Sequence, residues 1–206
     1  MNSVMIRSLA GAALIAGLSL PIASASAQQP QTVRVRGAVE KVDGNTVVVK
    51  SADGANVTLT LTGNAVIVGV VKASLAEIKE GSYVGSAAMP QPDGTQKALE
   101  VHIFAETQRG TGEGHRPYTV PNSTMTNGTV GATVTATDGQ TLTVKYQGGE
   151  KKIVVPPGVP IVRYEIGDKA ELKPGVHITA LNAVKKPDGT LEAARLNVGR
   201  DGLVPQ

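Results

Sequence analysis

The sequence predicts a mainly β protein: two tandem small five-stranded barrels, each with one short helix between its third and fourth strands. Three observations carry this. Val and Thr alternate with polar residues over short runs, punctuated by 24 Gly and 12 Pro. That composition belongs to strands joined by tight turns. The turn Pro92-Asp93-Gly94-Thr95 returns 95 positions later as Pro187-Asp188-Gly189-Thr190. At the same spacing Asp43-Gly44-Asn45-Thr46 returns as Asp138-Gly139-Gln140-Thr141, and Val49-Lys50 as Val144-Lys145. Near the middle the spacing slips by one, so that Lys79-Glu80-Gly81 falls on Lys173-Pro174-Gly175. Motifs that keep their spacing along two segments indicate an internal duplication.

The N-terminus reads as a secretory signal peptide spanning 1–27. Arg7 supplies the positive start, and Leu9 to Leu20 is an uncharged apolar run too short for a comfortable membrane span. Pro21 breaks the run, and Ala25-Ser26-Ala27 is a small-x-small cleavage site. The reading places the mature chain, without a transmembrane span, in the periplasm or outside the cell. The chain has no Cys, which excludes disulfides, thiolate chemistry and lipid attachment after the apolar run. Aromatic residues are 2% of the chain, so the cores must be built from Val, Leu, Ile and Ala. The formal charge of +3 is dispersed, with no basic run of the kind a nucleic-acid binder concentrates.

The first unit spans 32–105. Val33, Val35 and Val39 alternate with charged residues in a first strand, and Gly37 marks a bulge or coil within it. Asp43-Gly44 is a hairpin turn. Thr46 to Lys50 is the second strand. Val57, Leu59 and Leu61 alternate in the third, which the apolar run Ala65 to Val71 extends or follows. Ser74 followed by Glu77 is a capping box and Gly81 a left-handed stop, so a helix of one to two turns is expected between them. Ser82 to Met89 and Lys97 to Phe104 complete five strands. A Gly/Pro-rich linker, 106–124, leads to the second unit, 125–200. There Asp168 and Glu171 repeat the capping box, Gly175 repeats the stop, and Gly131 stands where Gly37 does, at the expense of one inserted residue.

Three strands, a short helix and two strands is the order of an OB-like barrel; a small β-sandwich is the alternative. The motifs Gly37 to Val39, Asp43 to Val49, Leu75 to Gly81 and Asp93 to Ala98 carry a closer likeness. So do Asp138 to Val144, Ala170 to Gly175 and Asp188 to Ala193. Each unit resembles the bacterial domain of unknown function numbered 5666, found in exported proteins. The resemblance implies a β fold and an exported location. It implies no activity and brings no catalytic residues.

The chemistry-bearing residues are few. Arg109, His115, Arg116 and Tyr118 lie in the linker, where Gly110, Gly112 and Gly114 free the backbone to present N–H groups to an anion. The same stretch also reads as a plain connector. Glu100, His102 and His115 are the candidate metal ligands, with His102 on one strand face with Glu100 and Phe104, opposite Val101 and Ile103. No His spacing typical of a metal site is present, and the repeat pairs His102 with Asn197. No nucleophile elbow is present, no cofactor motif was found, and rings are too sparse to stack nucleotides. The reading is a non-catalytic exported module that binds an envelope protein or a glycan. The alternative is a binder of a small ligand or divalent metal in the cleft between the units.

Overall fold

Residues 31–136 and 139–205 are described by the computed structural model. The predicted signal peptide, 1–27, and Asp138 of the second copied turn lie outside them. The first copy forms β1 (Thr32–Asp43), β2 (Thr46–Ser51), β3 (Asn56–Lys72), β4 (Tyr83–Pro90) and β5 (Gln96–Ile103). The linker adds β6 (Gly114–Pro117). The second copy forms β7 (Thr124–Ala136), β8 (Gly139–Tyr146), β9 (Gly149–Val155), β10 (Ile161–Ile166), β11 (His177–Lys185) and β12 (Leu191–Gly199). Among the described residues no helix is long and apolar enough to cross a membrane.

The strand predictions match closely, and the mainly β class is correct. The pairing does not follow the predicted units. β1 pairs β2, β2 pairs β3, β3 runs parallel to β12, β12 pairs β11, and β11 returns to β1. This closes a five-stranded barrel from three strands of the first copy and two of the second. Five of the other strands form the complementary ring: β7, β8 and β9 of the second copy with β4 and β5 of the first. Its closing contact is short, with β5 parallel to β9 only at Gln96↔Ile153 and Lys97↔Val154. The copies have therefore exchanged their last two strands. One twelve-stranded sheet crosses the supposed join, which replaces the expected pair of self-contained barrels.

The exchange has an internal twofold. β3 and β10 lie antiparallel with Val70 opposite Tyr164. These two residues are 94 apart, the repeat spacing that holds in this part of the chain, so each faces its own repeat-mate. The chain leaves this seam by a crossing turn in each copy. The expected one-to-two-turn helices are single 3-10 turns, Leu75–Glu77 and Lys169–Glu171. The capping boxes are present: Ser74 N–H donates to Glu77 Oε1 at 2.8 Å and Asp168 N–H to Glu171 Oε1 at 2.9 Å. The turns stop early because the chain must reach the other ring. Ile78 is buried in the core of the second ring, and Leu172 in that of the first.

Gly81 and Gly175 then adopt φ of +86° each, a conformation that favours Gly. Their N–H groups donate to Val130 and Val39 carbonyls, each at 2.8 Å. Every one of these bonds joins one copy to the other. A charged clamp covers the same seam. Arg163 pairs with Glu77 and Glu165, and Arg200 pairs with Glu165 and, at 2.9 Å, with both oxygens of Glu171. Each capping glutamate is thus held by an arginine of the second copy.

Gly37 is required by close approach. A Cβ there would stand 2.1 Å from the Lys50 carbonyl oxygen. The counterpart is Gly128, whose Cβ would stand 2.2 Å from the Lys145 carbonyl oxygen. Lys50 and Lys145 are repeat-mates, so the expected equivalence of Gly37 with Gly131 is corrected. Gly131 is the extra residue of the β7 bulge, against the flexible end of the Lys145 side chain.

The barrel cores are aliphatic, as the scarcity of rings requires. Val39, Val47, Val49, Leu59, Ile178 and Leu196 fill the first. Val84, Val101, Val130, Leu142, Val144 and Ile153 fill the second. Burying each such side chain is worth about 1.5–3 kcal/mol. The rings are gathered elsewhere: Tyr83, Phe104 and Tyr164 pack with Val68, Val70 and Val162 between the barrels.

Candidate functional site

The site grows from one local irregularity, present in both copies. In β5 the register slips between Ala98 and Glu100, leaving Leu99 as the extra residue of a bulge. The alternation restarts after it: Val101 and Ile103 point into the ring, while Glu100, His102 and Phe104 face outward. In β12 the slip falls between Ala193 and Arg195. Leu196 and Val198 point inward, while Arg195 and Asn197 face outward. Glu100 and Arg195 are repeat-mates 95 apart, as are His102 and Asn197. The two outer faces look into one pocket between the rings, of about 390 Å³. That lies within the range of about 300–1,000 Å³ usual for small-molecule sites. Tyr164, Met125, Asn127, Leu181 and the linker residues Arg116 and Tyr118 complete its walls. The pocket is furnished differently on its two sides, with acid and imidazole on one wall and guanidinium and amide on the other.

The rings hold the β5 wall rigid. His102 stacks on Tyr164 with centroids 4.8 Å apart and planes 13° from parallel. Phe104 meets His102 edge-on at 4.9 Å. The Arg195 guanidinium lies 5.8 Å from the Tyr164 centroid, a cation–π contact. Burial, then the positive Arg195 and Arg116, push His102 down to about 3, so it is neutral. Burial pushes Glu100 up to about 7, against the pull of Arg34 and Arg36 on β1. His102 Nδ1 and Glu100 Oε1 are 3.9 Å apart. With the imidazole neutral and the gap beyond hydrogen-bond reach, this is a contact and not an ion pair. Burial also raises the Tyr164 hydroxyl and lowers Arg195.

Besides Thr179, which donates to the Pro205 carbonyl at 2.9 Å, three polar side chains of this pocket are more than nine-tenths buried: His102, Asn127 and Asn197. Each keeps one atom without a protein partner, namely His102 Nδ1, Asn127 Oδ1 and Asn197 Nδ2. The other ends are engaged for the two amides. Asn127 Nδ2 donates to the Thr111 carbonyl at 3.0 Å, and Asn197 Oδ1 accepts from Arg195 Nε at 3.3 Å. Buried polar atoms are nearly always paired, and each one left unpaired costs about 1–3 kcal/mol.

The expected site residues divide. Glu100, His102, Arg116 and Tyr118 line the pocket. Arg109 does not: it pairs with Glu106, donates to the Gly81 carbonyl at 2.9 Å, and lies over the Tyr83 ring. It fastens the linker to a crossing turn. His115 is on β6, with Nδ1 2.8 Å from Thr126 Oγ1 and its ring beside Tyr146. The candidate metal set of Glu100, His102 and His115 is therefore not assembled. Among the described residues no three His, Cys, Asp or Glu converge. The linker is not a featureless connector, since β6 pairs along β7 from Gly114↔Asn127 to Pro117↔Thr124. Nor does it offer a nest of N–H groups at this site. Its Thr111 and Gly112 carbonyls accept from Asn127 and Arg116.

Asn127, Tyr164, Arg195 and Asn197 were not singled out from the sequence. The usable signal was the repeat itself: wherever Glu100 and His102 faced, Arg195 and Asn197 had to face by equivalence. Compared with protein-family models, with curated proteins and with solved structures, the chain matches none.

Proposed function

We propose that the chain is an exported, non-catalytic binding module and that the pocket between its two rings is the ligand seat. The observation that carries this is one cavity of about 390 Å³ lined by three buried polar side chains, His102, Asn127 and Asn197, each with one atom that has no protein partner. A small polar molecule satisfies them together and recovers the cost of their burial. Rigid walls suit binding: the His102, Phe104 and Tyr164 stack orders the site before any ligand arrives. The resemblance of the turn motifs to an exported family, and the apolar N-terminal run ending in Ala25-Ser26-Ala27, support export. Among the described residues no grouping of nucleophile, base and oxyanion donor supports catalysis.

The test is a thermal-shift screen of the purified protein against small acids, amides, amines and sugars. A ligand at a hundred times its Kd adds about 2.7 kcal/mol of stability. Ala194→Trp is the control. Ala194 is exposed at the bulge and lines the pocket, so the indole fills the cavity without entering either core. Stabilisation of the wild type that A194W abolishes is the expected result. Equal shifts in both proteins, or none in either, would sink the reading.

A further inference from the structure

The ligand's charge can be read from what surrounds the cavity. Arg195 and Arg116 line it, and Arg34 and Arg36 act on Glu100 from β1. The lining itself sets two guanidinium groups against one acid, Glu100, which burial holds near its midpoint at neutral pH. Arg195 is half-buried. Its contacts are the Asn197 amide oxygen and the Tyr164 face, and neither brings a negative charge. A part-buried cation without a counter-ion is costly. An arriving carboxylate relieves that cost and forms charge-assisted hydrogen bonds.

Direction follows from the second wall. Asn197 Nδ2, on the same face as Arg195, is an unpaired donor. Across the cavity Asn127 Oδ1 is an unpaired acceptor, and Glu100 adds carboxyl oxygens. The site therefore offers donors and positive charge at the β12 wall and acceptors at the β5–β7 wall. Met125, Leu181 and Ala194 lie between them and suit an apolar body.

Resting on the pocket being a ligand seat, we infer that it takes a small organic carboxylate with a hydrogen-bond donor at its other end. The carboxylate lies on Arg195 and Asn197, and the donor faces Asn127 and Glu100. A bare inorganic anion lacks the far donor and the apolar body, and a simple amide lacks the charge.

Calorimetric titration of the full chain tests this with para-hydroxybenzoate and lactate, their amides para-hydroxybenzamide and lactamide, and inorganic sulfate. At least one carboxylate is expected to bind tenfold or more tighter than its amide and than sulfate. Arg195→Gln should bring carboxylate and amide to within twofold. Asn197→Asp places an acid beside the Arg195 guanidinium, so it should weaken the carboxylate at least tenfold while raising the melting temperature. An amide that binds as well as its acid, or an unchanged preference in R195Q, overturns the inference and leaves the seat standing. Sulfate binding as tightly as the carboxylates overturns it too, by reducing the site to bare charge. If no probe binds and the wider screen is also silent, both fall together.

Discussion

The two rings are built to the same plan, yet the first is sewn shut and the second is only pinned. β3 runs seventeen residues without interruption, and its parallel pairing with β12 extends from Leu59↔Leu191 to Gly199↔Val70. The matching path in the second copy is cut by Pro156, Pro157 and Pro160 into β9 and β10. Its pairing to β5 survives as two residue pairs from β9 and three from β10. Both copies jog at the same place: in β3 by a bulge between Leu61 and Val66, in the second copy by the proline loop. A bulge keeps the backbone in the ladder, whereas proline has no N–H to give it. The pairing is thus looser in one ring than in the other, while the seam and the pocket walls stay in register.

Six substitutions, in four steps, sharpen or break this comparison. Gly37→Ala and Gly128→Ala should each cost about 4 kcal/mol or more, because the new Cβ meets a backbone carbonyl that cannot yield. Gly131→Ala should cost less than about 1 kcal/mol, since only a lysine tail must move. Urea titrations that rank Gly131 with Gly37 would refute the equivalence drawn here. Next, Leu59→Ala should cost about 3–4 kcal/mol. Because each ring contains strands of both copies, calorimetry should show one transition moving as a whole. Two transitions, with one left in place, would mean independent barrels.

Third, Glu100→Gln should add about 2–3 kcal/mol at pH 8. Its folded pKa of about 7 lies above the ordinary 4.5, so the folded form holds the proton more tightly. The acid's contribution is complete below pH 4.5 and is lost as pH rises through 7. The gain in the variant should therefore vanish by pH 4.5. His102 works in the opposite sense, since its pKa is lowered to about 3. Stability that depends on neutral His102 is full above pH 6.5 and falls as pH drops toward 3. Smallest, Arg200→Met should cost about 1 kcal/mol, an effect that salt diminishes, because the clamp is partly exposed. A loss that persists unchanged in high salt would point to packing rather than charge.

The strands were legible because alternation and Asp-Gly turns are local. His102, Glu100 and Phe104 were correctly placed on one face for the same reason. The exchange was not legible. Periodicity says which face of β4 or β11 is buried but not which copy buries it, and duplicated strands fit either ring. Gly128 was hidden because spacing alone favoured Gly131; only the Lys50 and Lys145 carbonyls distinguish them. β10, Ile161 to Ile166, was missed because it follows a proline-rich stretch that reads as loop, although Gly167-Asp168 marks its end. The pocket was half legible. Its β5 wall contains the one distinctive histidine, while Arg195 and Asn197 look like ordinary outward positions until a twofold sets them opposite.

The pairing of Leu59 with Leu191 also sets an order of events. A polypeptide threaded N-terminus first shows β1, β2 and β3 long before β11 and β12 exist to finish their ring. Such distant partners slow closure, so the leading half must wait, unclosed, for the trailing half.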